Sequence, residues 1–198
     1  MKSFTQTFGV AALALAGSVS AFATSSIDAS KSQVKWTGYG VGKSHWGYVN
    51  VKEADLKFDK KDEPTSGYIV VDLNTINNKD LEDKEYAAKL EGHLKGPDFF
   101  ETDKYPTATY TADSIKKSKD GSYTVAGKIK IKDVEEAKTV VLKPVVEGDT
   151  TYLTGALKFD RTKHNVKYNS AKFFSLAKLG DKTIKDDVDL EIKLAVKK

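Results

Sequence analysis

The feature that most constrains the fold is a regular alternation of apolar and charged residues near the C-terminus. From Val188 to Val196, every second residue is valine, leucine or isoleucine, and the residues between them are mostly charged. Successive side chains of a β-strand point to opposite faces, so this pattern predicts a strand with one buried and one solvated face. The same alternation recurs at residues 123–131 and 153–159. The sequence therefore predicts a fold built mainly from β-strands.

Weaker alternation elsewhere brings the number of predicted strands to about eight. The other predicted strands are at residues 34–40, 46–58, 68–73, 107–112 and 139–146. Asp120-Gly121 and Gly148-Asp149 are typical of hairpin turns between neighbouring strands. Consecutive strands with one apolar face suit a closed barrel or a two-sheet sandwich. The charged faces favour an apolar interior over the lipid-facing apolar surface of an outer-membrane barrel. We therefore expect an all-β fold.

One stretch breaks the two-residue period. Apolar residues recur every four positions from Tyr86 to Leu94, and a Gly-Pro pair follows shortly after. This spacing predicts an amphipathic helix at about residues 81–95, with Asp80 as its N-cap. A second, shorter helix is predicted near residues 171–179.

Residues 1–23 have the features of a secretory signal peptide. Lys2 precedes an uncharged apolar run at residues 8–16, and Ala21-Phe22-Ala23 matches the small-x-small cleavage pattern. A membrane-spanning helix needs about 20 apolar residues, and this run is shorter. We therefore expect cleavage after Ala23, or after Ala21 as a competing site, and export of a single domain at residues 24–198 with no stable membrane span. The same signal would serve a periplasmic or a secreted protein.

Several chemistries lack the residues that they need. The chain has no cysteine, which excludes disulfides, zinc ribbons, iron–sulfur ligation and thiol catalysis. His45, His93 and His164 do not have metal-ligand spacing, and no phosphate-binding or nucleophile motif is complete. The net charge of +4 is dispersed, and Arg161 is the one arginine among 32 basic residues, which argues against nucleic-acid binding. We expect no metal, no cofactor and no catalytic residues.

Aromatic residues gather where the predicted strands and helices meet. Phe99-Phe100 follow the first helix, Phe173-Phe174 lie in the second, and Trp36 and Trp46 lie on the first two strands. Each of these residues could pack in an ordinary core. As a set, they suit a barrel whose apolar lumen is wide enough for a guest molecule.

Several motifs follow one another along the chain: Val34-x-Trp36, His45-x-Gly47, Val71-Asp72-Leu73-Asn74-x-Ile76, His93-Leu94-Lys95-Gly96-x-Asp98-Phe99-Phe100, Lys104-Tyr105-Pro106-Thr107-Ala108-Thr109-Tyr110, Gly127-x-Ile129-x-Ile131, Asp160-Arg161-Thr162 and Leu179-Gly180-Asp181-x-x-Ile184-x-Asp186-Asp187. In these motifs the sequence resembles the YceI family of periplasmic, lipocalin-like polyisoprenoid-binding proteins. The resemblance covers residues 27–196, and residues 93–110 are its most specific part. It implies an eight-stranded antiparallel lipocalin-like barrel with an inserted helix, a periplasmic location, and an isoprenoid, quinone-like or fatty-amide lipid held in an apolar cavity.

The candidate binding residues divide into two groups. The tail of the lipid is expected to contact Trp36, Trp46, Tyr68, Val70, Phe99, Phe100, Tyr110, Ile129, Leu157, Phe159 and Phe174. The head group is expected to contact Lys43, His45, Asp98, Arg161 and Asn165. For Arg161 two interpretations stay open, an acidic head group or a buried ion pair with Asp160, Asp98 or Asp186.

Two other function classes remain compatible with the sequence. One is an enzyme that acts on a lipid-like substrate and uses His45 or His164, with a nearby carboxylate, as general base. The other is an interaction module whose barrel is filled by its own side chains. A continuous interior cavity distinguishes the carrier from the interaction module. Two titratable groups that converge on this cavity would instead favour the enzyme.

Overall fold

Eight antiparallel strands form one closed barrel in which each strand pairs with its neighbours in sequence and the last strand pairs with the first. The computed structural model describes residues 26–61 and 63–197. The strands are β1 (Ile27–Gly40), β2 (Ser44–Phe58), β3 (Pro64–Asp72), β4 (Thr107–Lys117), β5 (Tyr123–Ile131), β6 (Val134–Glu147), β7 (Thr150–Asp160) and β8 (Ile184–Val196). This confirms the predicted eight-stranded barrel. The predicted signal peptide at residues 1–23 lies outside the described residues.

The apolar residues of the alternating pattern point into the barrel, and the charged residues between them point outward. On β8, Leu194 is buried, whereas Asp187 and Glu191 on the other face are exposed. The inward apolar side chains of all eight strands form the main hydrophobic cluster. Register shifts between Val51 and Glu53 and between Ala112 and Ser114 mark β-bulges, which bend strands to close a barrel.

Two helices interrupt the strands. α1 (Lys84–Lys95) lies between β3 and β4, and α2 (Leu176–Leu179) lies between β7 and β8. The predicted N-cap of α1 was wrong: Asp83 accepts the N–H groups of Glu85 and Tyr86, so the helix begins later than residue 81. No helix in residues 26–61 or 63–197 combines the length and the apolar character needed to span a membrane.

Asp80 has a different role from the one predicted for it. Its carboxylate accepts the backbone N–H of Trp46 at 2.7 Å and the side-chain amide of Asn78 at 2.6 Å. Burial raises the pKa of Asp80, but these donors and His45 outweigh it, so the pKa lies below its usual value. The ionised carboxylate therefore ties the start of β2 to the segment that precedes α1.

Candidate functional site

The barrel encloses a large cavity lined by residues from all eight strands. Its volume is about 540 Å³, which falls in the range of small-molecule sites, about 300–1,000 Å³. Most of its wall is aliphatic or aromatic, and includes Val34, Val49, Ile69, Val71, Val125, Ile131, Val140, Leu142, Leu153, Val188, Leu190 and Leu194. Gly67, Ala112 and Gly127 lie side by side on β3, β4 and β5. The strands approach closely there, because a Cβ would lie 2.5 Å from the Asp55 carbonyl oxygen at Gly67 and 2.1 Å from the Thr111 carbonyl oxygen at Gly127.

One end of the cavity is covered by α1 and the segments that follow β3 and β7. Leu90 and Leu94 of α1 line this end together with Phe99 and Tyr168. The ring of Phe99 lies 4.9 Å from that of His93 and 5.4 Å from that of Tyr168. Aromatic pairs at these separations pack favourably. The four-residue spacing in the sequence therefore places an apolar helix face over the barrel.

Polar side chains gather at this same end of the cavity, where β1 ends, β2 begins and β8 begins. We call it the polar end and define it by Lys43, His45, Asn169, Lys182 and Lys185, all of which line the cavity. The end of β1, the start of β2 and the loop before β8 meet here because the strands are antiparallel. The arrangement provides a mostly apolar tube with polar groups at one mouth.

The predicted tail residues fall into two sets. Trp36, Tyr68, Phe99, Phe100, Tyr110, Ile129, Leu157 and Phe159 line the cavity. The cavity lining does not include Trp46, Val70 and Phe174. Trp46 lies on the outer face, where its ring contacts Tyr48 and the Lys35 ammonium. Phe174 is 49% exposed in the loop between β7 and β8. Val70 alternates with the lining residues Ile69 and Val71 and so points to the other face of β3. Tyr68 shares the face of Val70 although it touches the cavity, and its exposed hydroxyl donates to the Glu53 carboxylate.

The predicted head-group residues are also divided. Lys43, His45 and Arg161 line the cavity at or near the polar end, whereas Asp98 and Asn165 do not. The exposed Asp98 contacts His93 Nε2 at 3.2 Å. The exposed Asn165 has φ 62° and ends the short turn that follows β7. Both residues therefore have local structural contacts outside the cavity.

The Arg161 side chain forms hydrogen bonds with the backbone around it. Its side chain is 2% exposed, and its guanidinium donates to the carbonyl oxygens of Val166 at 2.8 Å, Ile184 at 3.0 Å and Lys185 at 3.0 Å. Asp186 Oδ1 lies 3.7 Å from Nη2. Burial lowers the pKa of Arg161 against the opposing effect of Asp186 and Asp160. These bonds hold the start of β8 against the turn after β7. Arg161 therefore makes structural contacts, as in the ion-pair interpretation, but most of its partners are backbone carbonyls.

The two histidines considered as general bases have different surroundings. His45 lines the cavity and contacts Asp80 Oδ2 through Nδ1 at 2.8 Å, which leaves Nε2 as the nitrogen that a ligand can use. His164 is fully buried, and its Nδ1 lies 3.1 Å from the carbonyl oxygen of Val134. His164 does not line the cavity. His45 therefore meets a carboxylate, that of Asp80, beside the cavity, as the enzyme interpretation requires, whereas His164 lies away from the cavity.

Tyr110 contributes an apolar surface to the cavity although it carries a hydroxyl. The hydroxyl lies 3.1 and 2.9 Å from the carbonyl oxygens of Val125 and Lys138, and its single proton is donated to this pair of acceptors. Burial, with a smaller effect of Asp113, raises the pKa of Tyr110 to about 12. The phenol is therefore neutral at physiological pH, and its donor is already used.

Sequence reasoning missed several residues that line the cavity. Lys182 and Lys185 were not selected because lysine is spread over the whole chain, and the fold alone distinguishes these two from the rest. Tyr168 and Asn169 follow a turn that has no periodic pattern. Leu90 and Leu94 carried a usable signal, since their helical spacing already marked an apolar face.

The link between Asp160 and Lys172 gives a pH-dependent test of this end of the barrel. Burial raises the pKa of Asp160, but Lys172 at 2.6 Å and the Thr162 donors outweigh it and lower the pKa to about 2. A carboxylate with a lowered folded-state pKa stabilises the fold above its unfolded pKa, and this stability is lost as the pH falls. We expect Asp160→Asn to lower the melting temperature at pH 7, and this difference from wild type to shrink below about pH 4 and to close near pH 2.

Thermal melts of both proteins across this pH range test the expectation. Asp187 lies opposite Asp160 on β8 and is exposed, so Asp187→Asn is the matched control. A melting difference for Asp160→Asn that stays constant down to pH 2 would contradict the assignment.

The part of the chain that the structure describes contains no group of three or more His, Asp or Glu residues placed to hold a metal ion. Comparison with known families matches residues 26–196 to the YceI-like domain. A curated relative, Protein YceI of Shigella flexneri, is 32% identical over 106 residues, which are 52% of each chain. The match thus spans about half the length of the curated relatives.

Solved structures share the whole barrel. BcnA of Burkholderia cenocepacia has a TM-score of 0.67 at 25% identity, covering 86% of this chain and 99% of its own. A polyisoprenoid binding domain from Saccharophagus degradans, implicated in plant cell wall breakdown, has a TM-score of 0.56 at 14% identity, covering 85% and 95%. The second likeness supports the fold alone.

Proposed function

The chain belongs to the YceI-like domain family, and on this premise we propose that it binds a long-chain amphiphilic lipid, with the apolar tail in the barrel and the head group at the polar end. The observation that carries the proposal is the cavity itself, which is apolar along the barrel and has its cationic side chains at one mouth. The ligand class is an isoprenoid, a quinone-like lipid or a fatty amide. The polyisoprenoid binding named for the Saccharophagus degradans domain is in keeping with this class.

The energetics of such a site favour a long tail. An isoprenoid exposes several hundred Å² of apolar surface, and at about 25 cal/mol per Å² its burial contributes on the order of 10 kcal/mol before entropy costs. The wall residues Trp36, Phe100 and Leu157 provide this burial without any demand for specific hydrogen bonds. Selectivity then comes from a few polar groups, of which Lys43 and His45 are the nearest candidates from the sequence.

We propose that the protein sequesters or carries the lipid and does not catalyse a reaction on it. Asp80, which contacts His45, also binds the backbone of Trp46 and the amide of Asn78, so it serves to fix the loop. We further propose that the domain works in the periplasm after export by the segment at residues 1–23, since a protein that carries lipid between membranes needs a location beside them.

A series of lipids with one head group and increasing tail length tests the function. We expect the affinity to rise about fourfold for each added methylene that enters the cavity, because each one contributes about 0.8 kcal/mol, and then to level off once the cavity is filled. Isothermal titration or displacement of a fluorescent lipid measures the trend. An affinity that is independent of tail length would contradict binding inside the barrel.

A further inference from the structure

The loop that joins β7 to β8 presents apolar side chains to solvent beside the mouth of the cavity. We define the rim loop as residues 170–183. Its two ends are joined where the Ile184 N–H donates to the Asn169 carbonyl at 2.9 Å, and both residues line the cavity. Phe173 and Phe174 are 48% and 49% exposed, and Leu176 is 64% exposed. Three large apolar side chains thus point outward next to the polar end.

Backbone hydrogen bonds order the rim loop that carries these side chains. The N–H groups of Phe173 and Phe174 both donate to the Ser170 carbonyl, at 3.1 and 3.0 Å, and Ser170 itself is fully buried. The Leu179 N–H donates to the Ser175 carbonyl at 3.0 Å. These bonds fix the path of the backbone through the rim loop, and the side chains of Phe173 and Phe174 are about half exposed along it.

A second apolar group extends the same surface. Val41, at the tip of the turn between β1 and β2, is 52% exposed. Gly40, next to it, pairs with Ile184, and a Cβ on Gly40 would lie 3.7 Å from the Thr183 carbonyl. The β1–β2 turn and the rim loop therefore adjoin each other at the mouth. An apolar patch of this kind marks an interaction site.

The charge around this patch identifies the kind of partner. From residue 167 to residue 185 the chain has five lysines and one acidic residue, Asp181. Lys172 is paired with Asp160 and Asp186, whereas Lys178 and Lys182 form no ion pair with any described residue. Lysine around exposed aromatic and leucine side chains is the composition of surfaces that bind anionic membranes.

The opposite end of the barrel does not have this composition. Phe58 and Val146 are exposed there, at 46% and 72%. The turns there carry acidic residues among their lysines: Asp59 and Glu63 flank Lys60 and Lys61, Asp120 follows Lys119, and Glu147 and Asp149 lie in the third turn. Exposed apolar groups and lysines therefore occur at both ends, but the rim loop holds a single acidic residue, Asp181.

We propose that the rim loop and the β1–β2 turn dock the barrel, mouth first, on the surface of an anionic lipid bilayer. Phe173, Phe174 and Leu176 enter the interface, and Lys178 and Lys182 contact the phosphate groups. The inference rests on the proposed function and deepens it, because a lipid that is insoluble in water must be collected from a membrane. Docking in this orientation places the cavity entrance against the bilayer.

Sedimentation with vesicles tests the docking. Wild-type protein is expected to pellet with vesicles of phosphatidylcholine and phosphatidylglycerol, and less with phosphatidylcholine alone. The double substitution Phe173→Ser with Phe174→Ser should reduce binding to the mixed vesicles at least about tenfold. Lys178→Glu with Lys182→Glu should reduce it by a similar factor of about ten and abolish the preference for anionic lipid. Added salt should weaken the binding of wild type.

Matched controls come from the other end of the barrel. Phe58→Ser with Val146→Ser, and Lys60→Glu with Lys61→Glu, should leave vesicle binding unchanged. Equal losses in these controls, or no sedimentation of wild type, would overturn the proposal. Binding of a fluorescent isoprenoid in the absence of vesicles separates the two claims. Cargo binding without vesicle binding would refute the docking proposal and leave the proposed function standing. Vesicle binding without cargo binding would refute the proposed function and leave only a membrane-binding surface.

Discussion

Replacing Ala112 with tryptophan should remove lipid binding while the barrel stays folded. Ala112 is buried and lines the cavity on β4, so a larger side chain at this position extends into the lumen. An indole there displaces tail atoms. If it excludes about four methylenes, at about 0.8 kcal/mol each, the loss is about 3 kcal/mol, or a reduction in affinity of about 100-fold.

The same substitution should cost little stability. Overpacking of a filled core destabilises by about 1–3 kcal/mol, but here the new ring extends into a cavity of about 540 Å³. We expect the melting temperature to change by no more than about 3 °C. Ala137→Trp is the control, because Ala137 is exposed on the outside of β6 and pairs with the exposed Lys128. Unchanged affinity in Ala112→Trp would place the binding site outside the barrel.

Replacing Arg161 with methionine should strongly destabilise the protein. The substitution leaves the carbonyl oxygens of Val166, Ile184 and Lys185 without the donors that they now have. Each buried acceptor left unpaired costs about 1–3 kcal/mol, and these losses are not fully additive. We expect a total of about 3–5 kcal/mol and a fall in melting temperature on the order of 10 °C.

Lysine at the same position separates the structural role from a head-group role. An ammonium keeps the charge but lacks the planar fork that reaches three carbonyls at once. Arg161→Lys should therefore lose at least half as much stability as Arg161→Met, as measured by urea unfolding. A lysine variant that keeps its full stability and loses only lipid affinity would reassign Arg161 to the head group.

The architecture was predictable from the sequence because the barrel buries one face of every strand. β5 and β7 keep a clear alternation, and the sequence located both within a few residues. β6 begins at Val134 rather than near residue 139, because Glu136 and Lys138 interrupt the apolar pattern. Glu136 pairs with Lys138 and Lys163. Such pairing lets charged side chains occupy half-buried positions, which a pattern of apolar residues does not reveal.

The inward face of β3 was not predictable for a related reason. Residues 68–71 are Tyr, Ile, Val and Val, so apolar side chains occupy both faces and alternation gives no choice between them. The structure places Ile69 and Val71 in the cavity wall, which leaves Val70 on the other face. A shift of one residue in the strand register would exchange the inward and outward side chains of β3, and only the pairing with β2 and β4 fixes this register.

Contacts between distant segments account for the remaining differences. Asp80 precedes several acidic residues, any of which could cap α1. The Asp80 carboxylate instead accepts the Trp46 N–H, 34 residues away in sequence, so Asp80 is not the N-cap. In the same way, the sequence selected Lys43 but did not distinguish the other 30 lysines, and the meeting of β1, β2 and β8 adds Lys182 and Lys185 to the polar end.

Native mass spectrometry of the protein purified from a bacterial envelope without detergent tests the central claim most directly. The account predicts a one-to-one adduct that organic extraction releases as a long-chain lipid, and predicts that Ala112→Trp purified in parallel carries little of it. A wild-type protein without any lipid adduct, or an equal adduct on both proteins, would contradict binding within the barrel.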